Sequence, residues 1–202
     1  YRGYFELDFL IDKDDDKVYL GEINPRLTGA SCLTNLSALS HADAPLFVFH
    51  LLEFSGLPYE LDVAAINRRW AEPGNLGTTS QLIIKHTETS VDRVHNAPSS
   101  GVWHLGAGGA VTFVRPAHHP REARGPDEAF FLRISGPGDY RYEGADLGIL
   151  MLNERLMDGG ELNARAHAWN RGIRAHFAGA PLHASETPVY DRITKAGRFK
   201  IF

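Results

Sequence analysis

The sequence predicts an α+β chain in two parts. An antiparallel hairpin followed by helices comes first. A small, mostly antiparallel β region closed by one helix comes second. Three observations predict this. The opening residues set acidic and apolar side chains in alternation on either side of a charged turn. The middle of the chain is a series of short apolar runs broken by Gly and Pro. One late stretch, 161–178, carries the strongest helical period, with Leu162, Ala166, Trp169, Ile173 and Phe177 on one face.

Taken in order, residues 4–11 (YFELDFLI) read as a strand, 12–17 (DKDDDK) as a polar turn and 18–23 (VYLGEI) as the returning strand. Residues 24–31 form a loop with Pro25 and Gly29. Residues 32–56 are apolar and helix-prone, split at Pro45 with Asp43 as a candidate N-cap, and stopped by Gly56 and Pro58. A short helix over 62–71 ends at Pro73 and Gly74. A boundary is expected near 73–78, dividing the chain into 1–75 and 76–202. Strands follow at 79–87, 101–105, 110–115, 129–134 and 147–152, with a long polar loop at 116–127 and a weakly periodic tail at 179–202.

The chain has 202 residues, enough to bury a core without staples. Its 21 basic and 25 acidic residues give no positive excess, which argues against nucleic acid or an anionic membrane as partner. One cysteine excludes an intrachain disulfide framework and a Cys-based zinc cluster, and suits a reducing, cytoplasmic compartment. The longest uncharged apolar run, 44–52, is too short to span a bilayer. The chain opens at Tyr1 inside an expected strand, without an initiator Met or signal peptide, and reads as a piece of a longer protein.

The hairpin carries the chemistry. With the turn centred on Asp15, antiparallel partners sum to 30. Asp8 faces Glu22, Glu6 faces Asn24 and Leu10 faces Leu20; on the other side Leu7 meets Ile23, Phe9 meets Gly21 and Ile11 meets Tyr19. One face is then apolar and is expected to pack. The other gathers Glu6, Asp8, Glu22 and Asn24. Directly opposed carboxylates repel, so such a pair shares a proton, gains basic neighbours, holds a cation, or is simply a solvated surface. Two carboxylates and an amide oxygen suit Mg²⁺, and Arg26 presents a planar fork suited to phosphate or carboxylate.

The string GYFELDFLID…VYLGEINPRLTGAS resembles the C-terminal end of an ATP-grasp domain, whose E-[IVM]-N-x-R signature stands here as Glu22, Ile23, Asn24, Pro25 and Arg26. The resemblance implies that Asp8, Glu22 and Asn24 hold magnesium (or Mn²⁺) bridging ATP phosphates. It also implies that Glu22, Asn24 and Arg26 contact the nucleotide and that Arg26 is the catalytic arginine at the transferred group. It covers residues 3–56. More faintly, 98–105, 128–134 and 144–150 are similar to the domain that follows the ATP-grasp core in biotin carboxylase-like ligases, and stand-alone peptide ligases look alike. The implied parent is an ATP-dependent carboxylate–amine ligase working through an acyl phosphate. Its partners are small carboxylate and amine substrates and an N-terminal ATP-grasp lobe, and a homodimer is compatible with the sequence. The glycine-rich loop and ATP-holding lysines of that lobe are not in these 202 residues, so the chain alone is expected to be inactive. The rival readings are a non-catalytic ATP-grasp-like scaffold and a biotin-dependent carboxylase.

Other signals carry less. Asp12, Asp14 and Asp16 open like a calcium loop but lack its Gly and Glu, leaving a solvated turn. GAGG at 106–109 reads as a hairpin turn. Cys32 is a small hydrophobe at an expected helix start, where a thiol pKa would fall. His118 with His119, and His167 with His176, lack zinc spacing. Arg165, Arg171 and Arg174 read as a solvated helix face, with phosphate binding the alternative.

Overall fold

The structure, a computed structural model, describes residues 1–40, 44–72 and 79–182. The boundary expected at 73–78, Asp43 as a cap and the tail beyond 182 lie outside these residues. The chain is α+β with mostly antiparallel sheets, and it divides into two compact units. One comprises Tyr1–Gln81 with His118–Pro126 and Met151–Arg155; the other comprises the remainder.

In the first unit, β1 (Glu6–Ile11) and β2 (Val18–Asn24) form a two-stranded antiparallel hairpin. Its turn closes through the Asp12 N–H on the Lys17 carbonyl (2.9 Å), the Asp14 N–H on Asp12 Oδ1 (2.9 Å) and an ion pair between Lys17 and Asp15. Three helices follow: α1 (Ser31–Ser40), α2 (Leu46–Ser55) and α3 (Val63–Ala71). Pro45 immediately precedes α2, whose first turn is tied to α1 by the Phe47 N–H on Asn35 Oδ1 (2.9 Å). Gly56 ends α2 in the left-handed region (φ 69°), the conformation a side chain resists. Asp62 caps α3 by accepting from the Ala65 N–H (2.8 Å).

Two expectations fail here. The register sums to 30 only at the base of the hairpin, where Glu6 pairs with Asn24, Leu7 with Ile23 and Asp8 with Glu22. Beyond Asp8 it shifts, and Phe9 faces Leu20, Leu10 faces Tyr19 and Ile11 faces Val18. The extra residue sits at Gly21, where a Cβ would meet the Asp8 carbonyl and Leu10 Cγ at 3.3 Å. The apolar face also does not pack. Phe9, Ile11 and Ile23 are 56, 65 and 57% exposed, and among the described side chains of 1–72 only Asn24 and Ser31 are buried.

The core lies in the second unit. A five-stranded sheet runs in the order β3 (Ser80–Lys85), β9 (Asp146–Leu152), β7 (Glu128–Arg133), β5 (Gly101–Leu105), β6 (Val111–Arg115). Ile84, Val102, Phe131, Leu147 and Leu150 of this sheet are buried, and β9 is buried on both faces from Leu147 to Leu152. The GAGG turn joins β5 to β6 through the Gly106 N–H on the Ala110 carbonyl (2.8 Å). A second sheet runs β12 (Ala178–Pro181), β4 (Asp92–Asn96), β8 (Tyr140–Arg141). A short ribbon pairs β10 (Met157–Asp158) with β11 (Glu161–Leu162). That ribbon consumes the start of the expected last helix, so α4 covers only Ala164–Arg174, capped by Asn163 on the Ala166 N–H (2.9 Å). Ala166, Trp169 and Ile173 still face inward, fully buried. The polar loop at 116–127 contains a turn of 3₁₀ helix, Pro120–Glu122.

Candidate functional site

Strand alternation and the unbroken register at the hairpin base place Asp8 and Glu22 directly opposite each other. Such pairs stand about 4.5–5.5 Å apart at Cβ. Glu22 makes no hydrogen bond or ion pair among the described residues, so nothing there offsets its charge. Asn24, 8% exposed, links the group: its Nδ2 donates to Asp8 Oδ2 (3.4 Å), and its Oδ1 accepts from Arg26 Nη2 (3.1 Å). The Arg26 N–H turns back onto the Asn24 carbonyl (2.8 Å), which folds the chain sharply at Pro25 and brings the guanidinium onto Asn24 Oδ1. Arg26 has no carboxylate partner among the described residues. The structure therefore brings together all four sequence-predicted site residues, Asp8, Glu22, Asn24 and Arg26.

Glu6 is drawn off in another direction. Its carboxylate accepts from the Thr28 hydroxyl, and the Thr28 N–H donates to the buried Ser31 Oγ (2.9 Å). The TGAS loop thus clamps the base of β1 to the start of α1. Among the described residues no group of three or more His, Cys, Asp or Glu side chains could hold a metal ion. The set at the hairpin is two acids and an amide. That donor set fits a hard cation completed by phosphate oxygens and waters. Asn24 Oδ1 keeps a second lone pair for a ligand beside its bond from Arg26.

Beside Glu6 lies a cavity of about 580 Å³, lined mainly by apolar groups from Gly3–Glu6, α1 and α2. Its walls include Tyr4, Phe49 and Tyr59, with Thr34, His50 and Glu53 as polar groups. The Tyr4 N–H donates to His50 Nδ1 (3.0 Å), which fixes the ring proton on Nε2, and the Tyr4 hydroxyl bonds the Thr34 hydroxyl. Tyr59 donates to Glu53 Oε2 (2.6 Å), and Arg2 pairs with the other oxygen (3.0 Å). The hydrogen bond to Glu53, then burial and the Glu53 charge, push the Tyr59 hydroxyl above its ordinary value against the pull of Arg2. Nothing in the sequence marks these residues, because they come from three elements without shared spacing.

Cys32 sits half-buried at the start of α1, and burial raises its thiol. This direction is opposite to the lowering expected from a helix start. His119 bonds Arg121, and His176 bonds the Val111 carbonyl (2.8 Å) against Trp103. No helix among the described residues is long and apolar enough to cross a membrane.

Comparison with known protein families, curated proteins and solved structures finds no match to this chain.

Proposed function

We propose that this chain is the metal- and phosphate-handling part of an ATP-dependent carboxylate–amine ligase of ATP-grasp type. One observation carries the reading: two opposed carboxylates with no ion pair to a base among the described residues, followed at once by a buried asparagine and an arginine without a carboxylate partner there. Opposed like charges are retained where a cation pays for them. Asp8, Glu22 and Asn24 would hold Mg²⁺, which supplies charge neutralisation on the β- and γ-phosphates of ATP. Asn24 Oδ1 has a second lone pair to offer a cation beside its bond from Arg26 Nη2, and the remaining N–H groups of the guanidinium would meet the transferred phosphoryl group. Phosphoryl transfer to a substrate carboxylate gives an acyl phosphate and ADP. An amine then attacks the acyl carbon, the C–O bond to phosphate breaks, and the amide forms with loss of a proton and inorganic phosphate. The cavity beside Glu6 has the size and apolar lining of a site for one of the organic substrates. The exposed apolar hairpin supplies a surface for the nucleotide-holding lobe to cover.

The test is made in the protein carrying this chain together with that lobe. Glu22→Gln should weaken magnesium-ATP binding in calorimetry. Arg26→Ala should leave it intact and lower kcat about a hundredfold, the loss of one preorganised contact worth about 3 kcal/mol. Normal turnover of Arg26→Ala at saturating substrates refutes the phosphate role.

A further inference from the structure

A second polar cleft lies wholly within the second unit, where α4 ends against the segment following β3. It measures about 310 Å³ and is lined by His86, Glu88, Arg141, Arg171 and Arg174, with Leu147 and Phe177 as apolar wall. Two of its arginines are engaged. Arg141 donates from Nε and Nη2 to Asp92 Oδ2 (3.2 and 2.9 Å), and Arg174 Nη2 to Glu88 Oε1 (2.7 Å). Arg171 has no side-chain partner among the described residues. His86 is 1% exposed; its Nδ1 lies 2.8 Å from Glu88 Oε2, and its Nε2 is buried without a partner.

A helix C-terminus attracts basic residues for its own sake, so Arg171 and Arg174 could serve only the helix dipole. The buried His86 nitrogen is not explained that way. A buried unpaired polar atom is costly, and the residue that carries it lines a cleft in which cations outnumber acids. From these two observations we infer that the cleft binds a phosphate group.

The choice of phosphate follows from the tautomer. The Glu88 carboxylate only accepts, so the proton of a neutral imidazole sits on Nδ1, and Nε2 is an acceptor. The ligand must therefore give a hydrogen to Nε2 while offering anionic oxygens to Arg171 and to the remaining N–H groups of Arg174 and Arg141. Hydrogen phosphate carries both on one centre. A carboxylate or sulfate carries acceptors alone. Glu88 is the one acid in the cleft, and it is already shared between His86 and Arg174.

The experiment is titration of the ¹⁵N-labelled chain at neutral pH and constant ionic strength, read at the amides of Glu88, Ala175 and Phe177. Inorganic phosphate, phenyl phosphate, sulfate and acetate are each added. Inorganic phosphate should shift these amides saturably, and sulfate and acetate should bind at least about tenfold more weakly. Arg171→Gln, at an exposed position, should weaken phosphate about tenfold. Arg165→Gln, which removes the same charge elsewhere on α4, and Arg26→Gln, at the hairpin, should leave the response unchanged. Phenyl phosphate, mostly a dianion without a P–OH at neutral pH, should bind more weakly than inorganic phosphate; equal or tighter binding overturns the hydrogen bond to Nε2 on which the choice of phosphate rests. Equal binding of sulfate or acetate, or an unaltered Arg171→Gln, overturns the inference and returns Arg171 to the helix dipole.

Discussion

Neutralising Glu22 should stabilise the chain when no divalent cation is present and destabilise it, relative to the native protein, when magnesium is added. Asp8 and Glu22 face each other across an exposed hairpin with no ion pair to a base among the described residues. At about 5 Å in a water-like medium their repulsion is about 0.8 kcal/mol, and salt screens it further. Opposed pairs in sheets span roughly 0.2–1 kcal/mol, so relief of about 0.5 kcal/mol is the expectation for Glu22→Gln in EDTA. In a domain of this size that raises Tm by about 1–2 °C. Magnesium at ten times its dissociation constant adds about 1.4 kcal/mol to the native protein, and much less to the variant, which has lost a ligand charge. The order of the two melting curves should therefore invert on adding magnesium. Circular dichroism melts at matched ionic strength, with Asp8→Asn as companion, read this directly. If Glu22→Gln is no more stable in EDTA, or gains as much from magnesium as the native chain, the pair is an ordinary solvated surface.

Gly3 adopts φ 118°, and a Cβ there would meet His50 Nδ1 and Phe54 Cε2 at 2.9 Å. Gly3→Ala should cost about 1–3 kcal/mol in urea unfolding and loosen the Tyr4–His50 bond that frames the cavity. Asp92 and Arg141 pair across β4 and β8, both side chains nearly buried. Burial pushes the Asp92 carboxyl up, but the hydrogen bonds from Arg141 and Ser90 and the charges of Arg141 and His86 outweigh it and hold it below the ordinary value. A depressed carboxylate contributes stability that is full above its unfolded pKa of about 3.9 and is lost as pH falls through the lower folded value. Arg141→Gln should cost about 3 kcal/mol near neutrality and remove that acid limb, as measured by urea unfolding between pH 7 and 2.

The elements that proved legible are those whose burial is one-sided or whose ends carry punctuation. Gly56 and Pro45 bound α2 as their backbone preferences require, and the strands of the five-stranded sheet announce themselves by runs such as SQLIIK and DLGILML. β4 was not legible because DRVHN is polar on its exposed positions and buries a charged residue, Asp92, beside its one apolar residue, Val94. β8, β10 and β11 have two residues each, too few for any period to register. The last helix was read too long because the period at Leu162 continues into a ribbon, and only the Asn163 cap marks the true start. In the candidate site, Asp8, Glu22 and Asn24 could be paired from alternation alone. The cavity and the arginine cleft could not, since each gathers residues distant in sequence.

The hairpin register failed at one point, and that point divides the hairpin by role. Below Gly21 the pairs Glu6–Asn24, Leu7–Ile23 and Asp8–Glu22 are anchored by Thr28, Ser31 and the buried Asn24. Above it, Phe9, Ile11, Val18 and Leu20 stand in a two-stranded ribbon with both faces exposed, a marginal arrangement in water. A bulge interrupts the ladder and bends the strand, so loosening of the tip need not pass to the base. The four site residues all lie on the anchored side. Opening of the tip therefore leaves the opposed carboxylates in place, and this is what a preformed cation site requires. Amide exchange should show it as slow exchange at those alternate amides of the base that point into the ladder, and fast exchange from Leu10 to Tyr19.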